Sequence, residues 1–360
     1  MEPIRIAIVG VGCVASSLIQ GLHYYKHTSK EESVPGLMNV MLGGYKLSDV
    51  KPVVAFDVNE KKVGKDLSEA IYTKPNCNLK VIDVPKTGVI VHKGPLMDGV
   101  GTNMRKYVSI DEKQKVADIE KILKENKVDV LVNLLPTGSM EATKFYINAA
   151  ISVGCAVVNG MPTPVANNTD IVKMAENKKI PIIGDDVKAQ VGATILHRAL
   201  VDIFTKRGAL LDKTIQLDWG GDMDFCNLVA DGRYEKGKRQ SKTEAVLAHL
   251  PNKESVKHQI SAVDFIPFLN NTKEAYTRLE GRIFCDVPVR IDVFMSVQDG
   301  YNSAGILVDA IRCAKIGLDR KIGGILYGPS AYFMKRPPKQ YPDAVAKQMV
   351  EEFIKKQGES

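Results

Sequence analysis

A doubly wound parallel α/β sheet with an inserted α+β domain is the fold class this sequence predicts, on three observations. Short apolar runs alternate with amphipathic helical stretches through the first half. A Gly-x-Gly-x-x-Ala turn sits between the first strand and the first helix. Near residue 287 the apolar period switches to two.

Taken in order, Ile4–Val9 reads as a strand and 16–25 as a helix. A second strand follows at 53–57. A helix over 113–126 places Val116, Ile119, Ile122 and Leu123 on one face and leads to a strand over 128–135. A helix over 141–153 leads to the strand Ala156–Asn159, and a helix over 170–177 to a strand over 180–184. Continuous apolar strands separated by such helices are covered on both faces, as parallel sheets are. Further on, Val287, Val289, Ile291, Val293, Met295 and Val297 alternate with Pro288, Arg290, Asp292, Phe294, Ser296 and Gln298. That is a strand with one apolar face, typical of antiparallel sheets. With 214–219 and 279–286 as neighbours, and a sister subunit as one cover for the apolar face, the α+β domain spans 196–300. Helices over 303–316 and 343–356 follow, the last with Val345, Met349, Phe353 and Ile354 directed back at the first domain. Residues 1–195 plus 301–360 then form the nucleotide domain, and 196–300 the catalytic and oligomerisation domain.

The chain has 360 residues, a formal charge of +7, 44% hydrophobic and 25% charged residues, the usage of an ordinary globular protein of about two domains. No block of like charge points to nucleic acid. Six scattered cysteines form no C-x-x-C pair, and the six histidines show no metal spacing, so no protein-ligated metal and no disulfide framework is expected. Neither a signal peptide nor a run of 18 apolar residues is visible. The expectation is a cytoplasmic protein with no membrane partner.

Gly10 permits the tight turn of a dinucleotide fingerprint, Gly12 lets backbone approach a pyrophosphate, and Ala15 allows close helix–sheet packing. The anion then meets a positive helix end. Asp57, at the end of the second strand, is the candidate for the ribose hydroxyls and favours NAD over NADP. It lies 42 residues beyond Ala15, against about 20 in the usual motif, so an insertion over 26–50 intervenes. The loop Asn133-Leu-Leu-Pro136-Thr137-Gly138-Ser139 follows a buried strand and faces the crevice by its place in the sheet. Thr137 and Ser139 are candidate cofactor contacts, with helix capping the other reading of Ser139. Two carboxylates and a lysine, Asp185, Asp186 and Lys188, end a later strand. Lys236, Lys238, Arg239 and Lys242 cluster before a helix, where Ser241-x-x-Glu244 reads as a capping box with Ser241 the N-cap and Lys242 the first helical residue. Ammonium groups at a positive helix end suit a bound phosphate or oxyanion; a solvated basic loop is the plainer alternative.

Several distinctive stretches are spread along nearly the whole chain: Gly10-Val-Gly12-Cys-Val-Ala15-Ser-Ser-Leu18, Gly184-Asp-Asp-Val-Lys188, Gly221-Asp-Met-Asp224-Phe, Ser241-Lys242-Thr, Arg278-Leu-Glu-Gly281-Arg, Asn302-Ser-Ala-Gly305 and Ser330-Ala-Tyr-Phe-Met-Lys335. With them the sequence resembles the L-myo-inositol-1-phosphate synthase family in its shorter bacterial and archaeal form. The resemblance implies a Rossmann cofactor domain and a homotetramer built through the second domain. It also implies isomerisation of D-glucose 6-phosphate to 1D-myo-inositol 3-phosphate with tightly bound, recycled NAD. The steps would be oxidation at C5, enolisation at C6, aldol closure onto C1 and reduction, with no net redox change.

Carried over by position, the resemblance places active-site lysines at Lys238, Lys242, Lys273 and Lys335, acidic partners at Asp224 and Asp299, and a further contact at Lys188. Its cofactor set is Gly10, Gly12, Cys13, Val14, Ala15, Asp57, Asn133, Pro136, Thr137, Ser139, Asn159 and Asp186. Each step puts negative charge on oxygen, which ammonium groups in a dry pocket stabilise; crowding them lowers their pKa so that one can act as base. Lys242 and Lys273 are assigned to the C5 oxygen and proton transfers, and Lys238 and Lys335 to the phosphate or the closing aldehyde oxygen. Either a lysine or the substrate phosphate serves as base at C6, and whether a cation lies against the phosphates is left open by the sequence. Two positions depart from the family: Asp222 stands where Asn is expected, and Cys13-Val14 where Asn is frequent. The rival readings are a net NAD-dependent dehydrogenase of the homoserine dehydrogenase kind and a non-catalytic NAD-sensing regulator.

Overall fold

A computed structural model describes residues 2–28, 34–230, 239–248, 250 and 253–355. Seven parallel strands form the larger sheet, in the order Gly324–Ile325, Pro181–Ile183, Ala156–Asn159, Val130–Asn133, Ile4–Val9, Val50–Asp57 and Val91–Lys93. Successive residues of the central strand enter two different cores. Ile4, Ile6 and Ile8 pack under the helices Cys13–Tyr24 and Asp299–Asp319, and Ala7 and Val9 under Ile119–Glu125, Met140–Val153 and Thr169–Lys178. Burial on both faces is why these strands read as unbroken apolar runs. Each fully buried isoleucine contributes about 1.5–3 kcal/mol by removal from water.

The smaller sheet has the order Lys257–Phe265, Leu210–Gly220, Thr272–Arg282, Pro288–Gln298. Its last three strands are antiparallel neighbours, but Lys257–Phe265 runs parallel to Leu210–Gly220, so the sheet is mixed rather than antiparallel throughout. The connection between those two strands carries the helices Met223–Ala230 and Arg239–Leu247, the long crossover a parallel pair requires.

Other expectations shift. The helix expected over 113–126 starts at Ile119, because the Asp118 carboxylate accepts the Lys121 N–H at 3.1 Å and caps it; Val116 is exposed. Ser241 lies inside Arg239–Leu247, so it is not an N-cap and Lys242 is not the first helical residue. The helix expected over 303–316 begins earlier, at Asp299, and runs 21 residues to Asp319. The first part of the apolar face of Pro288–Gln298 is covered from within: Val289 and Ile291 pack against the cluster that holds Val201 and Phe204 of the helix Ala193–Lys206. The last helix, Asp343–Lys355, packs back on the core beneath the large sheet through Phe353 and Ile354 as expected, with Val350 beside them, whereas Val345 is exposed. The insertion after the first helix holds the hairpin Met41–Leu42/Tyr45–Lys46. The fully buried Arg312 pins it by donating to the carbonyls of Asn39 (2.7 Å), Val40 (3.3 Å) and Tyr45 (3.2 Å).

Candidate active site

The carboxyl ends of the large sheet and the facing edge of the small one enclose one cleft, lined by Gly10–Ala15, Asp57, Lys62, Asp186, Lys188, Asp222, Asp224, Lys273, Asp299 and Lys335. Gly10 holds φ +90°, and a Cβ there would stand 2.7 Å from the Leu134 carbonyl oxygen. At Gly12 a Cβ would meet no protein atom within 4 Å, so the turn leaves room for a group brought by a ligand. Gly12 is the N-cap of Cys13–Tyr24, and neither a side-chain cap nor an acidic first-turn residue quenches that helix end. Such an end attracts anions. The Asp57 carboxylate accepts the N–H groups of Val11 (2.9 Å), Val58 (2.7 Å) and Asn59 (2.8 Å). It thus caps its own turn and braces the glycine loop together. Lys62, which sequence reasoning missed, donates to the Val11 carbonyl at 2.6 Å and to Asn76 at 2.8 Å.

Three of the four expected lysines converge. Lys273 on the strand Thr272–Arg282 faces Asp299 at 3.6 Å, and Lys335 donates to Asp186 at 2.9 Å. Lys242 is fully buried, 2.6 Å from the equally buried Asp218. Burial lowers its pKa to about 8, opposed by Asp218 and reinforced by the charges of Lys273 and Lys335. For Lys273, burial works against the ammonium, but the carboxylates of Asp299, Asp218, Asp222 and Asp186 prevail and hold its pKa above the usual value. A buried lysine poised to titrate near neutrality thus stands behind the cleft, coupled to one in its lining that is held cationic. Lys238 lies outside the described residues.

Asp218 belongs to a buried chain that sequence reasoning also missed. Gln216 Nε2 donates to Asp218 at 3.1 Å, and Gln216 Oε1 faces His197 Nδ1 at 3.0 Å; His197 Nε2 meets the Thr214 hydroxyl at 2.6 Å. Burial depresses the His197 pKa to about 4, so the ring is neutral at pH 7. The Asp218 carboxylate takes the Gln216 amide protons and leaves the Gln216 oxygen facing Nδ1, while the Thr214 hydroxyl beside Nε2 donates to the Arg278 carbonyl at 2.9 Å. The visible signal was Thr214, Gln216 and Asp218 alternating with Ile215, Leu217 and Trp219. Here the polar set is buried and the apolar set faces outward.

The other predicted residues divide. Asp222 Oδ1 accepts the N–H groups of Asp224 (2.9 Å) and Phe225 (3.3 Å), and Oδ2 accepts from Asn271 at 3.0 Å. Asp224 lines the cleft and accepts from Thr137 Oγ1 at 2.9 Å; Thr137 thus ties its loop to the helix Met223–Ala230 and is not in the cleft lining. Ser139 donates to the Pro136 carbonyl at 2.7 Å and does not cap its helix by side chain; Asp98 does so, accepting from Glu141 and Ala142, each at 3.0 Å. Asn133 and Asn159 lie buried below the cleft floor, bonded to each other at 2.8 Å, and Asn159 donates to Asp185 at 2.8 Å. Asp185 gathers the 165–167 backbone, leaving Asp186 to face the cleft. The Lys188 stem lines the cleft, but its ammonium turns to Asp343 at 2.6 Å and the Ala331 carbonyl at 3.1 Å, with burial lowering its pKa to about 8. Among the described residues no group of three or more His, Cys, Asp or Glu is placed to hold a metal, and no helix is long and apolar enough to cross a membrane.

Fold and cleft together define a class: an α/β enzyme of the Rossmann kind whose cleft is lined by lysine–aspartate pairs. Comparison with known proteins narrows this. A family model described as myo-inositol-1-phosphate synthase matches residues 192–300. Inositol-3-phosphate synthase of Mycolicibacterium smegmatis is 48% identical over 98% of each chain, and that of Corynebacterium glutamicum 46% identical over 98% of each. The solved structure of a myo-inositol-1-phosphate synthase-related protein from Thermotoga maritima superposes with TM-score 0.81 over 98% of both chains at 24% identity, which supports the fold. The chain belongs to the inositol-3-phosphate synthase family. The dehydrogenase reading is not favoured.

Proposed function

We propose that this protein isomerises D-glucose 6-phosphate to 1D-myo-inositol 3-phosphate with tightly bound NAD and no net redox change. The observation that carries the reading is the charge-coupled set Lys242, Lys273 and Lys335 beside the glycine-loop cleft. The unquenched helix end and the open space over Gly12 fit a pyrophosphate, so Gly10, Gly12 and the first amides of Cys13–Tyr24 would hold it, with Asp57 toward the ribose. When bound, NAD supplies a reversible two-electron acceptor for C5.

The chain's own residues do the rest. Lys273, kept cationic by its carboxylates, stabilises oxyanion character at the sugar; one such donor is worth on the order of 10²–10³ in rate. Lys242, with its lowered pKa, exchanges protons as the C5 hydroxyl and C6 carbon are deprotonated. Lys335 holds phosphate or the closing aldehyde oxygen, a role shared with Lys238. Asp224, Asp299 and Asp186 orient and partly neutralise these lysines. We read 1–195 plus 301–360 as the nucleotide domain and 196–300 as the catalytic and oligomerisation domain of a cytoplasmic homotetramer. The outward face of the small sheet, with Trp219 beside Phe294 (61% exposed), supports assembly there.

The test is incubation with glucose 6-phosphate and NAD, followed by phosphorus NMR and absorbance. An inositol monophosphate must appear without accumulating NADH. Its absence, or stoichiometric NADH, refutes the reading. Sedimentation velocity tests the tetramer.

A further inference from the structure

Cys13 is the first helical residue after the glycine turn, and its sulfur lies 3.7 Å from that of Cys77. The segments that carry the two residues are stitched together on both sides of the sulfurs. Asn76 Nδ2 donates to the Val11 carbonyl at 3.1 Å, Asn78 Nδ2 to the Cys13 carbonyl at 2.7 Å, and the Cys77 N–H to Cys13 Sγ at 3.5 Å. Both thiols are partly exposed, whereas Cys155, Cys226 and Cys313 are buried and Cys285 sits alone in the turn Phe284–Asp286 of the other sheet.

We infer that Cys13 and Cys77 are a modification site: a thiol pair that forms a reversible disulfide within the dinucleotide loop. The hydrogen bond with Cys13 holds the Cys77 thiol below its usual pKa, against burial and with help from Lys74, and raises that of Cys13. Cys77 is therefore the attacking thiolate. With a small-molecule disulfide such as oxidised glutathione, the Cys77 thiolate attacks one sulfur, forms a mixed disulfide and releases one glutathione thiolate. Cys13, losing its proton to solvent, then attacks the Cys77 sulfur and expels the second glutathione thiolate. Two protein thiols are oxidised and one glutathione disulfide is reduced to two thiols.

Closing the pair brings the sulfurs from 3.7 Å to the ~2.05 Å of an S–S bond. The bond pulls on Cys13, which is joined directly to Gly12, where the backbone would meet a pyrophosphate. The disulfide therefore weakens dinucleotide binding, on the order of tenfold or more. This consequence rests on the cofactor reading above. Linkage makes the effect reciprocal: bound NAD favours the dithiol by the same factor and raises the pair's reduction potential by ~30 mV for each tenfold.

The test poises the full-length, cofactor-stripped protein in glutathione buffers with and without saturating NAD. Thiols are trapped by alkylation, and intact mass and peptides are read by mass spectrometry. A Cys13–Cys77 cross-linked peptide titrating as a two-electron couple, with a midpoint raised by NAD, is expected. Cys77→Ser keeps the reduced protein's turnover and NAD affinity and loses the response to oxidised glutathione. The inference is overturned by no Cys13–Cys77 linkage at any poise, a persistent glutathione adduct on Cys77, a midpoint indifferent to NAD, or a Cys77→Ser protein inhibited as wild type is. NAD binding to the reduced protein is measured separately. If that fails, the cofactor reading falls, while the disulfide stands or falls on its own mass.

Discussion

Replacing Asp218 with asparagine tests the pocket electrostatics directly. Lys242 titrates at about 8, so about one molecule in ten carries the neutral amine at pH 7 and about one in a hundred at pH 6. If that amine is the base, kcat/KM rises roughly tenfold per pH unit below 8. Asp218 opposes deprotonation from 2.6 Å with both groups buried. Coulomb's law at an effective dielectric of ~20 gives about 6 kcal/mol at that distance, which is 4–5 pK units at about 1.36 kcal/mol each. Even a fifth of that moves the limb of the profile acidward by about one unit, while the amide oxygen of the substituted side chain can still accept from the neutral amine. The assay is kcat/KM for glucose 6-phosphate from pH 5.5 to 9.5, followed by phosphorus NMR on wild type and Asp218→Asn. The phosphate's own titration near ~6 is common to both and cancels in the comparison. A midpoint that stays put or moves to higher pH would falsify Lys242 as the titrating base.

Three further outcomes are expected. Gly12→Ala folds with stability within ~0.5 kcal/mol of wild type, since its Cβ meets no protein atom, yet loses NAD affinity; Gly10→Ala also loses stability, because φ +90° and the Leu134 carbonyl oppose it. Urea melts and NAD titrations of both separate the two effects. For His197, a folded pKa of about 4 against about 6.5 unfolded means the unfolded chain binds more protons between those values. Stability is then lost on acidification, by about 2 kcal/mol between pH 7 and 5, and urea melts of His197→Gln should lack that share of the loss. Asp343→Ala strands the ammonium of Lys188 and the guanidinium of Arg198, which it holds at 2.6 and 2.9 Å. It should cost about 3 kcal/mol in denaturant unfolding, and a change below 1 kcal/mol would show that solvent already screens the group.

The large sheet was legible because its strands are buried on both faces, so apolar runs such as Val130–Asn133 stand out whatever their register. The glycine turn was legible because its geometry demands particular residues at particular steps. Helix starts were less so: Val116 continues the helical period, but Asp118 decides the boundary by capping. The pocket was legible only in part. Lys242, Lys273 and Lys335 arrive from a helix, a strand and a loop, and no local spacing relates them. Thr214, Gln216 and Asp218 looked like the solvent side of a strand, since the rule that apolar residues turn inward fails where the interior is a polar site. Asp98 and Asp343 act on residues more than forty positions away along the chain, beyond what a short motif can record.

The helix Asp299–Asp319 sets Asp299 at the cleft, runs about 30 Å through the core with Leu307 and Ile311, and ends where Asp319 accepts the Tyr45 hydroxyl at 2.7 Å. One rigid rod thus spans reaction chamber and far rim. A cavity opened midway, or slackness at its distal anchorage, would reach the cleft as a misplaced carboxylate. Selection on robustness and selection on turnover therefore act on the same twenty-odd positions, and neither can drift there without the other registering it.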